Sequence, residues 1–352
     1  MMQVVPNSAI QTRAVRVSTA KDYWTILFGI WLIGGVFVDG FAHNHGVVET
    51  FFTPWHAILY SGFMASAIWM VWLLYVSKRT TGAPWTKAAP VGYGLGLIGV
   101  VIFLLGGLGD MAWHEILGIE KNTAALLSPS HLLLLLGGIL ILSSPFRASW
   151  HNEKMTKPGW LEFTPAFLSL VVTVGAVSFF LMYAWMFRYN LPAASAVDWY
   201  VSQFGYGLIT ENNETRGLAF ILIDTLVFMY PVFLLLKRWQ LPFGAMTLLF
   251  AIVSTMMNVL DGFEFYQSII IAGAAGLLGD LLYIWLKAGE GRMWAQRIIA
   301  IALPVVLWGG YFGYMNAVDG IGWEPELWSG AIVEATLLSL GLQFLAVSKG
   351  KG

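Results

Sequence analysis

Cysteine is absent from this chain of 352 residues, and charged residues are scarce. Without cysteine there can be no disulfide, thiolate metal ligand, cysteine nucleophile or cysteine-bound iron–sulfur cluster. Charged residues make up 11% of the chain, whereas a soluble domain carries roughly a quarter. The formal net charge of −1 excludes a protein that binds nucleic acid by electrostatic attraction. The composition therefore excludes a soluble globular protein and indicates no nucleic-acid partner.

Apolar residues take the place of the missing charge. They make up 58% of the chain, and the mean hydropathy is +0.70. Apolar runs of membrane-spanning length recur along the chain and predict an all-α, polytopic helical membrane protein. We expect residues 1–22 to form a cytoplasmic N-terminal segment and 23–348 to form a single transmembrane domain. About ten spans are predicted, near 23–42, 55–77, 90–110, 130–146, 165–187, 217–236, 242–260, 267–286, 297–315 and 328–347.

The distribution of lysine and arginine predicts the orientation of these spans. If the N-terminus is cytoplasmic, only Lys121, Arg188 and Arg216 of the 19 basic residues fall in outer segments. Because cytoplasmic loops carry the excess of basic residues, we expect both termini to be inside, in a multi-pass protein of the cell (inner) membrane. All histidines except His151 then lie at the extracytoplasmic side. We therefore expect the chemistry of this protein at that side.

A motif that occurs twice within residues 23–146 carries most of these histidines. Each copy reads Asp-x3-His-x5-Glu, followed by Ser/Thr-Pro-x-His and an apolar run. The second copy has four more residues between the glutamate and the proline. The duplication predicts a tandem repeat of helical hairpins in the first four spans. The shared residues are Asp39, His43, Glu49 and His56 in the first copy, and Asp110, His114, Glu120 and His131 in the second.

The spacing of the motif predicts convergent metal ligands. An aspartate and a histidine four residues apart lie on one face of a helix, and a proline suits the first turn of the returning helix. Each hairpin can therefore bring one carboxylate and two imidazoles together, a set that suits copper, iron, zinc or manganese. The predicted ligands are Asp39, His43, His56, Asp110, His114 and His131. The glutamates Glu49 and Glu120 are candidates to accept a hydrogen bond from the second ring nitrogen of a ligand histidine, or to act as further ligands.

The first copy resembles the metal-ligand motif in the C subunit of the particulate methane and ammonia monooxygenases. The likeness is carried by Asp39-x3-His43-x12-His56 and covers about 18 residues. It implies copper bound by these three residues and suggests an oxidoreductase of the monooxygenase type that acts on an apolar small molecule. The spacing of x16 between His114 and His131 departs from that family's motif. The second copy also looks like a group of uncharacterised bacterial multi-pass membrane proteins, which implies no activity.

Other interpretations remain open. Asp224, Asp280 and Glu334 fall inside predicted spans, where ionisable residues mark functional sites by default. They can form a polar path inward, as expected of a transporter of metal ions or small solutes. The chain can also be a non-catalytic subunit that associates with other membrane subunits or with copies of itself. Hydrogen bonds without a metal can also explain the paired Asp and His residues.

Overall fold

The computed structural model describes residues 15–46, 52–118, 123–290 and 292–347. These residues are mainly helical and include no β-strand beyond one isolated bridge, which confirms the all-α class. The helices are α1 (Thr19–Asn44), α2 (Pro54–Thr81), α3 (Gly94–Leu117), α4 (Ala124–Leu127), α5 (Pro129–Leu142), α6 (Ser144–Trp150), α7 (Trp160–Phe180), α8 (Met186–Tyr189), α9 (Ala194–Phe204), α10 (Thr215–Arg238), α11 (Ala245–Val259), α12 (Gln267–Trp285), α13 (Met293–Val318) and α14 (Pro325–Val347).

Among the described residues, eight helices are long and apolar enough to cross a membrane, or nine if α5 and α6 together form one span. Each of the ten predicted spans falls on a helix, but two of them differ from expectation. Residues 130–146 form two helices that are bent by 41°. Residues 242–260 contain the 15-residue α11, which is shorter than the usual length of a span. The membrane-protein class is thus supported, while the number of ten spans stays a prediction.

The late start of α11 has a local cause. Gly244 precedes the helix with a φ of 91°, a left-handed conformation that glycine adopts without strain. Asp280 of α12 accepts hydrogen bonds from the amides of Met246 and Thr247, at 3.2 and 2.9 Å. The carboxylate therefore caps the first turn of α11 and satisfies donors that have no partner within the helix.

Two helical hairpins form the N-terminal part of the fold. Helix α1 packs on α2, and α3 packs on α5, with a glycine at the closest approach in each pair. A Cβ atom added to Gly62 of α2 would lie 2.7 Å from the backbone nitrogen of Leu32 in α1. A Cβ added to Gly137 of α5 would lie 2.6 Å from the backbone nitrogen of Phe103 in α3. The missing side chain thus lets each pair of helices approach closely.

The bend between α5 and α6 follows from their sequence. Pro145 lacks a backbone N–H, so the helix cannot continue without losing a hydrogen bond. Ser169 of α7 supplies replacements: its hydroxyl donates to the carbonyl of Leu142 at 2.6 Å and accepts from the amide of Phe146 at 3.0 Å. Side chains of α7 therefore stabilise the bend and join the second hairpin to the rest of the bundle.

Both hairpins are connected to their neighbours by buried contacts. At the far end from the motif, the hydroxyl of Tyr93 donates to Asp22 at 2.6 Å, and Trp69 donates to Thr25 at 2.9 Å. Nearer the motif, the rings of Phe37 in α1 and Phe179 in α7 pack edge to face, 5.3 Å apart. The contact between Phe37 and Phe179 packs α7 on the first hairpin, near the end of the bundle that carries the histidines, which we call the cluster end.

Candidate metal centre

The first group of ligands, here the first cluster, joins the end of α1 to the start of α2. Asp39 and His43 lie one turn apart on α1, and the imidazole Nε2 is 3.7 Å from the carboxylate. Thr53 caps α2 by accepting from the amide of His56, and Pro54 occupies the first turn. The cap places Nε2 of His56 3.2 Å from Asp39. The predicted ligands of the first hairpin therefore meet at a single carboxylate.

The second cluster has nearly the same geometry. Nε2 of His114 lies 3.5 Å from Asp110 on the same helix, and Nε2 of His131 lies 3.1 Å from the same carboxylate oxygen. Ser128 caps α5 by accepting from the amide of His131, and Pro129 follows in the first turn. The corresponding Asp–His distances, 3.7 and 3.2 Å in the first cluster and 3.5 and 3.1 Å in the second, are thus nearly equal.

These distances fit metal coordination. Within each cluster, one ligand atom from each residue lies within 4.8 Å of the others. Two ligand atoms bound to one tetrahedral ion, each at about 2.0–2.2 Å, lie about 3.3–3.6 Å apart. The separations between the aspartate oxygens and the histidine Nε2 atoms run from 3.1 to 3.7 Å. The three residues of each cluster can therefore hold one ion together, with small adjustments of their side chains.

Three hydroxyl groups support the second cluster, and none of these supporting contacts was predicted from the sequence. Tyr60 of α2 donates to Oδ2 of Asp110 at 3.3 Å, and Ser130 donates to Oδ1 at 3.4 Å. The hydroxyl of Ser128 lies 2.8 Å from Nδ1 of His131. Partners of this kind fix the orientation of ligand side chains. Their only sequence signal is proximity: Tyr60 lies one turn after the motif, and the serines lie within it.

The two clusters face one cavity. The ring centroids of His56 and His114 are 6.4 Å apart, so the clusters are adjacent. The cavity has a volume of about 910 Å³, and all six ligand residues line it. Most of the remaining lining is apolar and comes from α1, α2, α3, α5 and α7; it includes Leu32, Ile33, Phe103, Leu134, Leu142 and Phe179. The contribution of α7 was not predicted from the sequence.

An ion pair lies beside the cavity at the cluster end. Nη2 of Arg188 is 3.2 Å from Asp261, which lies in the turn between α11 and α12. Burial raises the pKa of Asp261, and the Arg188 guanidinium opposes that rise. The side chain of Asn44 donates to the carbonyl of Leu260 at 3.1 Å and joins the end of α1 to the same turn. Arg188 and Asn44 both line the cavity, so this turn closes one side of it.

Glu49 and Glu120 fall outside the described residues. Their role as hydrogen-bond acceptors for the histidines or as further ligands therefore stays a prediction. His45 is exposed, and its ring stacks on Phe41 with centroids 3.9 Å apart. It does not line the cavity, which agrees with its absence from the second copy of the motif.

The predicted intramembrane acids do not line the cavity. Asp224 is buried and accepts from the amide of Met186 at 2.8 Å. Asp280 is buried and also accepts from the hydroxyl of Thr247, at 2.6 Å. Glu334 is exposed on α14. Hydrogen bonds to helix amides thus account for two of the three carboxylates, and a path through all three stays a prediction.

The chain has no match among protein-family models, curated proteins or solved structures. The resemblance to the monooxygenase C subunit therefore depends on the local spacing of Asp39, His43 and His56. What the site can do must be inferred from its own ligands and the cavity beside them.

Proposed function

We propose that this protein binds two ions of copper or iron, one in each cluster, and uses them to oxidise an apolar substrate. The observation that carries the proposal is the pair of adjacent ligand sets, each with two histidines and one aspartate, that open on one largely apolar cavity. We further propose that the hairpins are a tandem duplication. The cluster end then faces outward from the cell (inner) membrane, as the distribution of basic residues favours.

The number of ligands supports a catalytic role over a structural one. Structural zinc sites are usually closed by four protein ligands, whereas catalytic sites keep a position open. Each cluster offers three ligand residues. Two histidines and one carboxylate with open positions are also the ligand set of non-haem iron oxygenases. The resemblance of the first copy to a copper motif supports copper equally, so the proposal covers both metals.

The proposed reaction inserts one oxygen atom of dioxygen into a C–H bond. The other oxygen atom leaves as water, which requires two protons and two electrons from an external donor. Copper or iron supplies the dioxygen chemistry when bound. Asp39 and Asp110 balance the charge of the ions, and the hydroxyls of Tyr60 and Ser128 hold their ligand partners in position. The apolar lining keeps water away and admits the substrate.

Elemental analysis of the purified protein and its variants tests the proposal. We expect two ions of copper or iron per chain, one ion in the Asp39→Ala and His114→Ala single variants, and none in the double variant. His45→Ala is the matched control and should keep both ions, because His45 is outside the clusters. Zinc alone would replace the redox proposal with a hydrolytic or structural centre. No metal in any protein would overturn it and leave hydrogen-bonded hairpins.

A further inference from the structure

The cavity is polar at one end and apolar at the other. At the cluster end it is lined by the six ligand residues, Asn44 and Arg188. Below them the lining is formed by aliphatic and aromatic side chains down to Leu32 of α1 and Leu142 of α5. His43 and Leu32 are eleven residues apart on one helix, which corresponds to about 16 Å at 1.5 Å per residue. His131 and Leu142 are separated by the same number of residues.

This depth is close to that of one leaflet. The hydrocarbon core of a bilayer is about 30 Å thick, so the whole cavity, from the histidines to Leu32 and Leu142, is about half as long as that core is thick. The total volume of about 910 Å³ lies within the range of about 300–1,000 Å³ for sites that bind whole organic ligands. A dioxygen molecule or a small hydrocarbon would leave most of this space empty, whereas an extended alkyl chain would use its full depth.

We propose that the cavity binds a single-chain amphiphile, with its linear alkyl chain between α1, α3, α5 and α7 and its polar end beside the two clusters. This inference rests on the proposed function for the role of the bound molecule as substrate, and it changes the apolar substrate proposed there to one that also has a polar end. The polarity of the lining sets the orientation, because a polar end placed near Leu32 and Leu142 would lose its hydrogen bonds to water without replacement. The carbons nearest the polar end then lie closest to the ligand residues.

Photolabelling tests both the binding and the orientation. The probe is a linear 1-alkanol of about twelve carbons, chosen to match the cavity depth of about 16 Å, with a diazirine at its far end. The protein is labelled once after removal of metal with a chelator and once after loading with copper or iron, and the labelled peptides are mapped by mass spectrometry. We expect label near Leu32 of α1 or near Leu142 of α5. Label near Thr123 or Arg188 would contradict the orientation.

A substitution at Gly138 shortens the cavity below the clusters. Gly138 lines the cavity, and the nearest atom to an added Cβ is 3.9 Å away. In Gly138→Phe the new ring should occupy the space of several methylene groups. Each methylene that is no longer buried weakens binding of the alkanol about fourfold. We therefore expect the dissociation constant of the alkanol to rise by more than a factor of about ten. Gly34→Phe is the matched control, because Gly34 has open space around it and does not line the cavity.

The outcomes separate this inference from the proposed function. Label at the apolar end in a protein that takes up no copper or iron during loading would support the chain site and refute the metal proposal. Two bound ions with no saturable label would refute the chain site and leave the metal proposal standing. Equal labelling of the wild type and a metal-loaded Gly138→Phe variant would also overturn the chain site, because the retained metal shows that the variant is folded.

Discussion

The close approach of α3 and α5 at Gly137 should determine whether the second cluster can form. An alanine there would place its Cβ 2.6 Å from the nitrogen of Phe103 and 2.8 Å from its Cα, whereas ordinary contacts begin at 3.4 Å. The helices must therefore move apart by roughly 0.6–1 Å, since packed cores have little free space. The distance of 3.1 Å between Asp110 and His131 crosses the same two helices, so the displacement separates two ligands.

For Gly137→Ala we expect an overpacking cost of about 1–3 kcal/mol. Distortion of a ligand set should weaken the second ion by on the order of tenfold to a hundredfold, while the ion in the first cluster stays bound. Titration of the metal-free protein with copper or iron measures both affinities. Gly62→Ala should weaken the first ion instead, because its Cβ would lie 2.7 Å from the backbone of Leu32.

The neighbouring Gly138→Ala is the control for this prediction. Its added Cβ would be 3.9 Å from the ring of Phe103, so neither helix has to move. Equal affinity of the second ion in Gly137→Ala and Gly138→Ala would refute the argument that helix separation controls the ligand distance. Loss of both ions in Gly137→Ala alone would show instead that the two hairpins do not respond independently.

Three further substitutions, the last with Glu334→Ala as its control, follow from hydrogen bonds at and away from the clusters. Tyr60→Phe removes the donor to Asp110, so the second ion should remain but bind about tenfold more weakly in the same titration; unchanged affinity would show that the hydroxyl does not position this ligand. Ser128→Ala removes a helix cap worth about 1 kcal/mol and the contact with His131, and should lower both the thermal midpoint and the affinity of the second ion. Asp280→Ala leaves buried amide donors unpaired and should destabilise the fold by about 2 kcal/mol or more. Glu334 is exposed, so Glu334→Ala should change the stability by less than about 0.5 kcal/mol. Equal thermal midpoints of these two variants would contradict this account of Asp280.

The sequence by itself determined the class of fold and the membership of the two Asp/His clusters. Hydropathy acts over about twenty consecutive residues, so the positions of most helices follow from local composition. The pairing of Asp39 with His43, and of Asp110 with His114, follows from the helical period. The N-terminal position of the two Ser/Thr-Pro elements follows from capping. Each is a local rule that needs no knowledge of neighbouring helices.

Only the tertiary structure decided how the helices meet. Helices that are apolar on most faces have no polar face that identifies their neighbours, so the sequence did not predict that Tyr60 would reach Asp110 or that α7 would line the cavity. For the same reason, burial and partners could not be assigned to the intramembrane acids. Asp224 and Asp280 cap helices, and Glu334 is exposed. The two clusters meet at one cavity because helices that are distant in sequence pack together. No local sequence pattern specifies that packing.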